Sequence, residues 1–290
     1  MTELQKFDEY VSLLSKNTKK SYLSLYFSLI EKLEKEINKA TPIEIVDAIN
    51  AITDNPSTRW ALINIPIIIY KLYEKPIHVL VDNRNIIFEQ KKNYLEQKNI
   101  ALNGNLPPLG DLKEYLDQLY NDKKYEQYII NFLLINYGVR NKDLDVFITT
   151  NPKILDDEFY SQLNILLVFK GSSVKWIRNN YKTYKTYGQK IIIINDGKFY
   201  DAIKQLPNNS WLLNNKGDRI SENAIGKHIQ RRTYQDLNEG EIFKIIVKNI
   251  TTSGKNVLTK LNEISNSRGT DIKTIKSYYD LDNLTDLHPQ

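Results

Sequence analysis

The apolar pattern of this chain changes period twice, and that change narrows what it can fold into. Up to about Asp157 the apolar residues recur at helical spacing. Between Leu163 and Asn195 they fall in short strand-like runs, and from Ser221 onward the helical spacing returns, broken near Gly240, Gly254 and Gly269. Helix starts are marked as well. Asn17-Thr18 can cap a helix that puts Tyr22, Leu25, Tyr26, Leu29, Ile30 and Leu33 on one face. Thr41-Pro42 opens a second, with Ile43, Ile45, Val46 and Ile49 apolar, and Asn55-Pro56-Ser57 opens a third toward Tyr73, with Pro66 as a kink point.

These signals predict a mainly α protein with a small antiparallel β-sheet. Residues 1–88 read as a helical bundle. Residues 89–107 are polar, end in Asn103-Gly104-Asn105 before Pro107-Pro108, and read as a linker whose first half is open to being helical. Residues 108–290 form an α+β domain. Its helices cover Leu112–Leu119 and Tyr125–Tyr137, with Gly138 as a helix end. Its strands cover Leu163–Lys170, Lys175–Thr183 and Gln189–Asn195, the last two joined by a turn at Tyr184–Gly188.

Composition excludes several chemistries. There is no cysteine, so disulfides, thiol catalysis and cysteine-based zinc sites are out. His78, His228 and His288 lie far apart without metal-ligand spacing. The opening MTELQKFDEY lacks the order of a signal peptide, and Ala61–Leu72 falls short of the roughly 20 apolar residues of a membrane span. The expectation is a soluble intracellular protein with no membrane partner. The formal charge of +5 is a mild excess, so its placement matters more than its total.

Three segments hold chemistry-bearing residues. Lys170–Lys190 carries Lys170, Lys175, Arg178, Lys182, Lys185 and Lys190, has no acidic residue, and interleaves Trp176, Tyr181, Tyr184 and Tyr187. Such a segment suits phosphate and sugar contact, or else is a solvated basic hairpin. Arg140, just past a helix end, can hold a phosphate through its planar fork or pair with Asp143 or Asp145. The third segment, Ser265–Tyr279, makes a turn at Arg268-Gly269-Thr270 and then a short helix started by Asp271, with Tyr278 and Tyr279 two turns on.

In this order, the three segments resemble the tyrosine recombinase (phage integrase) family, and in wording the integrases of large DNA viruses and their satellite viruses. Asn17-Thr-Lys19-Lys20-Ser-Tyr22 resembles the opening of the family's core-binding domain. Tyr137-Gly-Val-Arg140-Asn-Lys-Asp-Leu144 resembles the segment of its first catalytic arginine. Tyr181-Lys182-Thr-Tyr-Lys185-Thr-Tyr-Gly188 falls where it keeps a β-hairpin lysine, and Gly269–Tyr278 resembles the approach to its nucleophile. The chain departs from the family at the His-x-x-Arg box, where it has Glu241-Ile-Phe-Lys244 or, in a shifted alignment, Lys248, and at the later histidine, which falls on Gly269.

The resemblance implies a site-specific recombinase that cleaves and rejoins DNA through a 3′-phosphotyrosyl link without a cofactor. It implies a helical DNA-binding domain and a catalytic domain that clamp duplex DNA, and a homo-oligomer, a tetramer on DNA. Location would be wherever the DNA is, the host nucleus or a viral replication site, and the process viral genome integration. Arg140, Lys244 and Arg268 would surround the phosphate, with Arg231 and Arg232 as further cations. Lys182 or Lys185 would protonate the leaving oxygen, and Tyr278, with Tyr279 as the alternative, would attack. Lys19, Lys20, Lys175, Arg178, Lys185 and Lys190 would contact DNA. A DNA-binding protein without catalysis on the same scaffold, a type IB topoisomerase-like relaxase and a helical interaction module remain as rivals.

Overall fold

The first four helices of the first unit begin where a small polar side chain, Thr2, Ser15, Thr41 or Asn55, accepts an orphan backbone N–H. The structure is a computed structural model that describes residues 1–254 and 256–279, without the side chains of 103, 277 and 278. The chain divides into two units, Met1–Ala101 and Leu102–Gln290. In the first, α1 (Glu3–Ser12), α2 (Lys16–Leu33), α3 (Pro42–Ile52), α4 (Pro56–Leu72) and α5 (His78–Asn103) follow one another. Thr41 caps α3 in a reciprocal pairing with Glu44, and Asn55 caps α4 by accepting from Ser57 and Thr58. The cap of α2 is Ser15, two residues before the expected one, because its hydroxyl accepts from the N–H of Thr18 at 3.3 Å. Phe7, Tyr26, Leu29, Ile45, Ile49, Leu62 and Ile63 form the core. Most of the stretch expected as a linker is helix: α5 buries Leu80 and Ile87 in the core and then runs on to Asn103 with residues 89–102 exposed or half-buried.

The second unit builds a sheet between helices. Its elements are α6 (Leu109–Asn121), α7 (Tyr125–Tyr137), β1 (Val146–Thr149), β2 (Asn164–Val168), β3 (Val174–Arg178), α8 (Tyr184–Tyr187), β4 (Lys190–Ile194), α9 (Gly197–Lys204) and β5 (Ser210–Trp211). They continue with β6 (Asn214–Asn215), β7 (Asp218–Arg219), α10 (Ile225–Gln230), α11 (Glu239–Thr252), α12 (Val257–Arg268) and α13 (Ile272–Tyr279). The strand order is β4-β3-β2-β1-β5, with β6 and β7 as a separate ribbon.

The fold is mainly α, with a small sheet, as the sequence predicts, but the five-stranded sheet is mixed. β1 pairs with β2 in parallel, while the other pairs are antiparallel. Two short 3-10 segments, Pro152–Asp156 and Tyr160–Gln162, lie in the connection that makes this parallel crossover. β3 and β4 form the expected hairpin, but β3 ends at Arg178, and residues 179–189 form a connection containing the single turn α8.

The β3–β4 register pairs Arg178 with Lys190, so these two basic side chains leave the same face of the sheet side by side. That face also carries Val174 and Trp176, buried in the large core with Leu133, Ile246 and Leu261. No helix among the described residues is long and apolar enough to cross a membrane.

Candidate functional site

The last turn of a helix leaves carbonyls without intrahelical partners, and its dipole favours cations there. At the end of α12 four consecutive carbonyls are claimed by four side chains from elsewhere in the unit. Lys190 Nζ donates to the oxygen of Asn266, and Arg178 Nη1 to that of Ser267 at 2.5 Å. Arg140 Nη1 donates to the oxygen of Arg268 at 2.5 Å, and Thr183 Oγ1 to that of Gly269 at 2.8 Å. The chain then turns through Gly269, at φ 64°, into α13. A Cβ at Gly269 would lie 2.5 Å from Thr183 Oγ1 and 3.1 Å from the Tyr181 ring, so both the turn and the approach of the hairpin require glycine.

Arg140 sits two residues after the left-handed Gly138 that ends α7. Its own N–H donates to Asp143 Oδ2 at 2.8 Å. Among the described residues its guanidinium forms no ion pair. Asp143 instead pairs with Arg178 at 2.8 Å, both side chains fully buried, and Asp145 pairs with Arg219 at 2.5 Å. The simple ion pair open to Arg140 in the sequence is thus not formed, because each aspartate has another arginine.

Arg268 is 1% exposed. Its Nη1 donates to the oxygens of Gly138 and Val139 at 2.7 and 3.2 Å, and its Nη2 to Glu239 Oε1 at 2.5 Å and Tyr279 Oη at 3.2 Å. Glu239 is completed by the N–H of Asn141 at 2.8 Å. The Tyr279 ring packs edge-on against Phe243, 4.7 Å between centroids.

Four cations, Arg140, Arg178, Lys190 and Arg268, therefore meet two carboxylates, Asp143 and Glu239. The excess of positive charge registers in the titration of the groups that retain exposure. Burial, and then the neighbouring Arg268, holds Arg140 below its ordinary value. Burial, and then Arg178, does the same to Lys190. Such a site favours an anion, which would relieve the repulsion.

The expected site residues divide accordingly. Arg140 and Arg268 come together. Arg178 and Lys190, expected as outer DNA contacts, belong to this cluster. Arg178 cannot touch DNA from where it lies, because it is spent on Asp143 and Ser267 in the interior. Arg268, expected at the phosphate, is likewise enclosed, with Nη1 and Nη2 both donating to protein oxygens. Lys175 is half-buried on the opposite face of β3. Lys182 and Lys185 lie exposed in the β3–β4 connection and form no ion pair or hydrogen bond among the described residues. Lys244 is half-buried on α11. Arg232 is taken by Glu126 at 3.0 Å, and Arg231 is exposed. In the first unit, Lys19 pairs with Asp8 at 2.8 Å and Lys20 is exposed. Tyr278 lies on α13, but its side chain is outside the described residues, whereas the Tyr279 hydroxyl accepts from Arg268.

Sequence reasoning did not single out Glu239. One signal was available: an Asn-Glu-x-Glu start to an apolar helix, which marks a charged first turn. Among the described residues there is no group of histidine, aspartate and glutamate able to hold a metal.

No protein-family model and no curated protein matches the sequence. Among solved structures the chain is similar to a XerA recombinase, at 15% identity over 99% of this chain and 98% of that one, with a TM-score of 0.37. A likeness that loose assigns no residue and no reaction.

Proposed function

We propose that the protein cleaves and rejoins DNA strands through a covalent phosphotyrosyl link, acting as a site-specific recombinase. The observation that carries this reading is the excess of cations around the α12–α13 turn, directly before a helix that ends in two tyrosines. A phosphodiester repels nucleophiles, and fixed cations offset the charge that builds on its non-bridging oxygens. Arg140 and Lys190 are the two members of the cluster with exposure to offer it.

In this mechanism Tyr278, on α13, forms the bond to phosphorus as the bond to the 5′ oxygen breaks. Lys182 or Lys185, on the exposed connection, gives that oxygen its proton. Rejoining reverses the step with another 5′ hydroxyl. Integration of a viral genome, duplex DNA as partner and assembly as a tetramer extend the same reading.

The test is trapping on a nicked duplex, from which the cleaved end diffuses away. The wild type is expected to become covalently attached, and Tyr278→Phe to bind without attachment. A normal covalent yield from Tyr278→Phe removes that assignment. Replacing the scissile 5′ oxygen by sulfur, a better leaving group, is expected to rescue Lys182→Ala if Lys182 is the acid.

The enclosure of Arg178 and Arg268 favours a second reading, a DNA-binding protein that does not cleave. Salt-sensitive duplex binding with no covalent product from the wild type would select it.

A further inference from the structure

We propose that Arg268 is a positioning residue, which holds the end of α13, through the Tyr279 phenol, in fixed relation to Arg140. At 1% exposure it reaches nothing in solvent. One guanidinium instead joins three parts of the unit. Through Nη1 it grips Gly138 and Val139, the two residues that lead into Arg140. Through Nη2 it grips Glu239 at the start of α11 and Tyr279 at the end of α13. Its Cζ lies 4.1 Å from the Phe243 ring centroid and 5.1 Å from that of Tyr279. Its backbone oxygen meanwhile accepts from Arg140, so the segment 138–140 and residue 268 are joined in both directions, by the Arg140 side chain to the Arg268 oxygen and by the Arg268 side chain to the oxygens of Gly138 and Val139.

Arginine suits the task because its donors spread in a planar fork. Lysine keeps the charge, but its three donors radiate from one atom and cannot serve acceptors spread along both edges of a fork. Glu239 supplies the counter-charge that lets the guanidinium be buried. The proposal rests on the phosphotyrosyl reading for what is being positioned, and a misplacement of about 1 Å in a reacting group can cost about 100-fold in rate.

The test uses the full chain with Arg268→Lys and Tyr279→Phe, singly and together. Amide hydrogen exchange over residues 272–279 reads the hold on α13 without any reaction. Cleavage of the nicked duplex, with oxygen or sulfur at the scissile 5′ position, reads its consequence. Arg268→Lys is expected to speed exchange in α13 about tenfold while α7 keeps its protection. Its cleavage rate is expected to fall about 100-fold with DNA affinity unchanged. Sulfur is expected to give no rescue, because the leaving group is not what the substitution disturbs. The double variant is expected to be no slower than Arg268→Lys, since the two changes break one contact.

Unchanged exchange in α13, rescue by sulfur, or additive losses in the double variant would overturn the proposal. So would total loss in Tyr279→Phe alongside an active Tyr278→Phe, for Arg268 would then touch the reacting oxygen itself. If the wild type forms no covalent product and α13 exchange still responds, the positioning role stands and the cleavage reading falls. If Arg268→Lys does not fold, Tyr279→Phe, which keeps the ring against Phe243, decides by the same exchange measurement: faster exchange supports the role and unchanged exchange ends it.

Discussion

The guanidinium of Arg140 donates to the backbone oxygen of Arg268 across 2.5 Å, linking positions 128 residues apart. Arg140 is thereby aimed by the turn that precedes α13, and it retains exposure that the other two arginines of the cluster lack. Arg140→Ala is expected to reduce covalent trapping about 10²–10³-fold, the usual loss when one stabilising donor is removed. Duplex binding should change little. Arg140→Lys is expected to remain defective, since the charge survives but the fork does not.

Gly269 lies where the hairpin, α12 and α13 meet. Gly269→Ala places a side chain in the left-handed region, at a cost of about 1–2 kcal/mol. Its methyl would also press on Thr183 Oγ1, 2.5 Å away. Denaturant unfolding should show at least that loss, with exchange rising in the 179–189 connection. A variant as stable as the wild type would contradict the geometry.

Asp143 is the counter-charge of Arg178, and neither side chain is exposed. Asp143→Ala leaves a guanidinium buried and unpaired, which costs about 3–5 kcal/mol. The double variant Asp143→Ala/Arg178→Met is expected to recover much of that stability, because the unpaired charge is gone. Urea midpoints of the three proteins check this, and equal midpoints for the single and double variants would refute it.

His228 gives the stability a dependence on pH. Burial first, and then Arg232, lowers its pKa from the ordinary 6.5, while Glu126 opposes the shift. Glu126 does not win, because Arg232 already claims the same oxygen at 3.0 Å against 3.5 Å for the imidazole. Below pH 6.5 the unfolded chain therefore takes up a proton that the folded chain refuses. Stability is present in full above that pH and falls as the pH drops through the folded pKa. His228→Gln should flatten the fall in unfolding midpoints measured between about pH 7.5 and pH 5.

The parts of the fold written in local chemistry were legible in the sequence. Thr41 with Glu44, and Asn55 before Pro56, announce helices because the capping groups are neighbours in the chain. β1 gave no such signal. All four of its residues are buried, so it has no alternation, and its parallel partner is reached only through residues 150–163. The site was legible in part. Arg140 and the tail were found as separate segments, and the hairpin as a basic run. Which basic residues turn inward was not readable, because it depends on a register that pairs Arg178 with Lys190 and on where α12 ends. Nor could sequence assign Arg268 its acceptors, which are main-chain oxygens of residues 138 and 139.

The acceptors at the end of α12 also set an order of events. Arg140, Arg178, Thr183 and Lys190 are all synthesised before residues 266–269, whose oxygens they bind. A nascent chain halted at residue 260 holds Arg140, Arg178 and Lys190 but lacks Arg268, the oxygens of residues 266–269 and α13. During synthesis, then, this cluster cannot close until the segment after residue 260 has emerged and docked against residues made long before it.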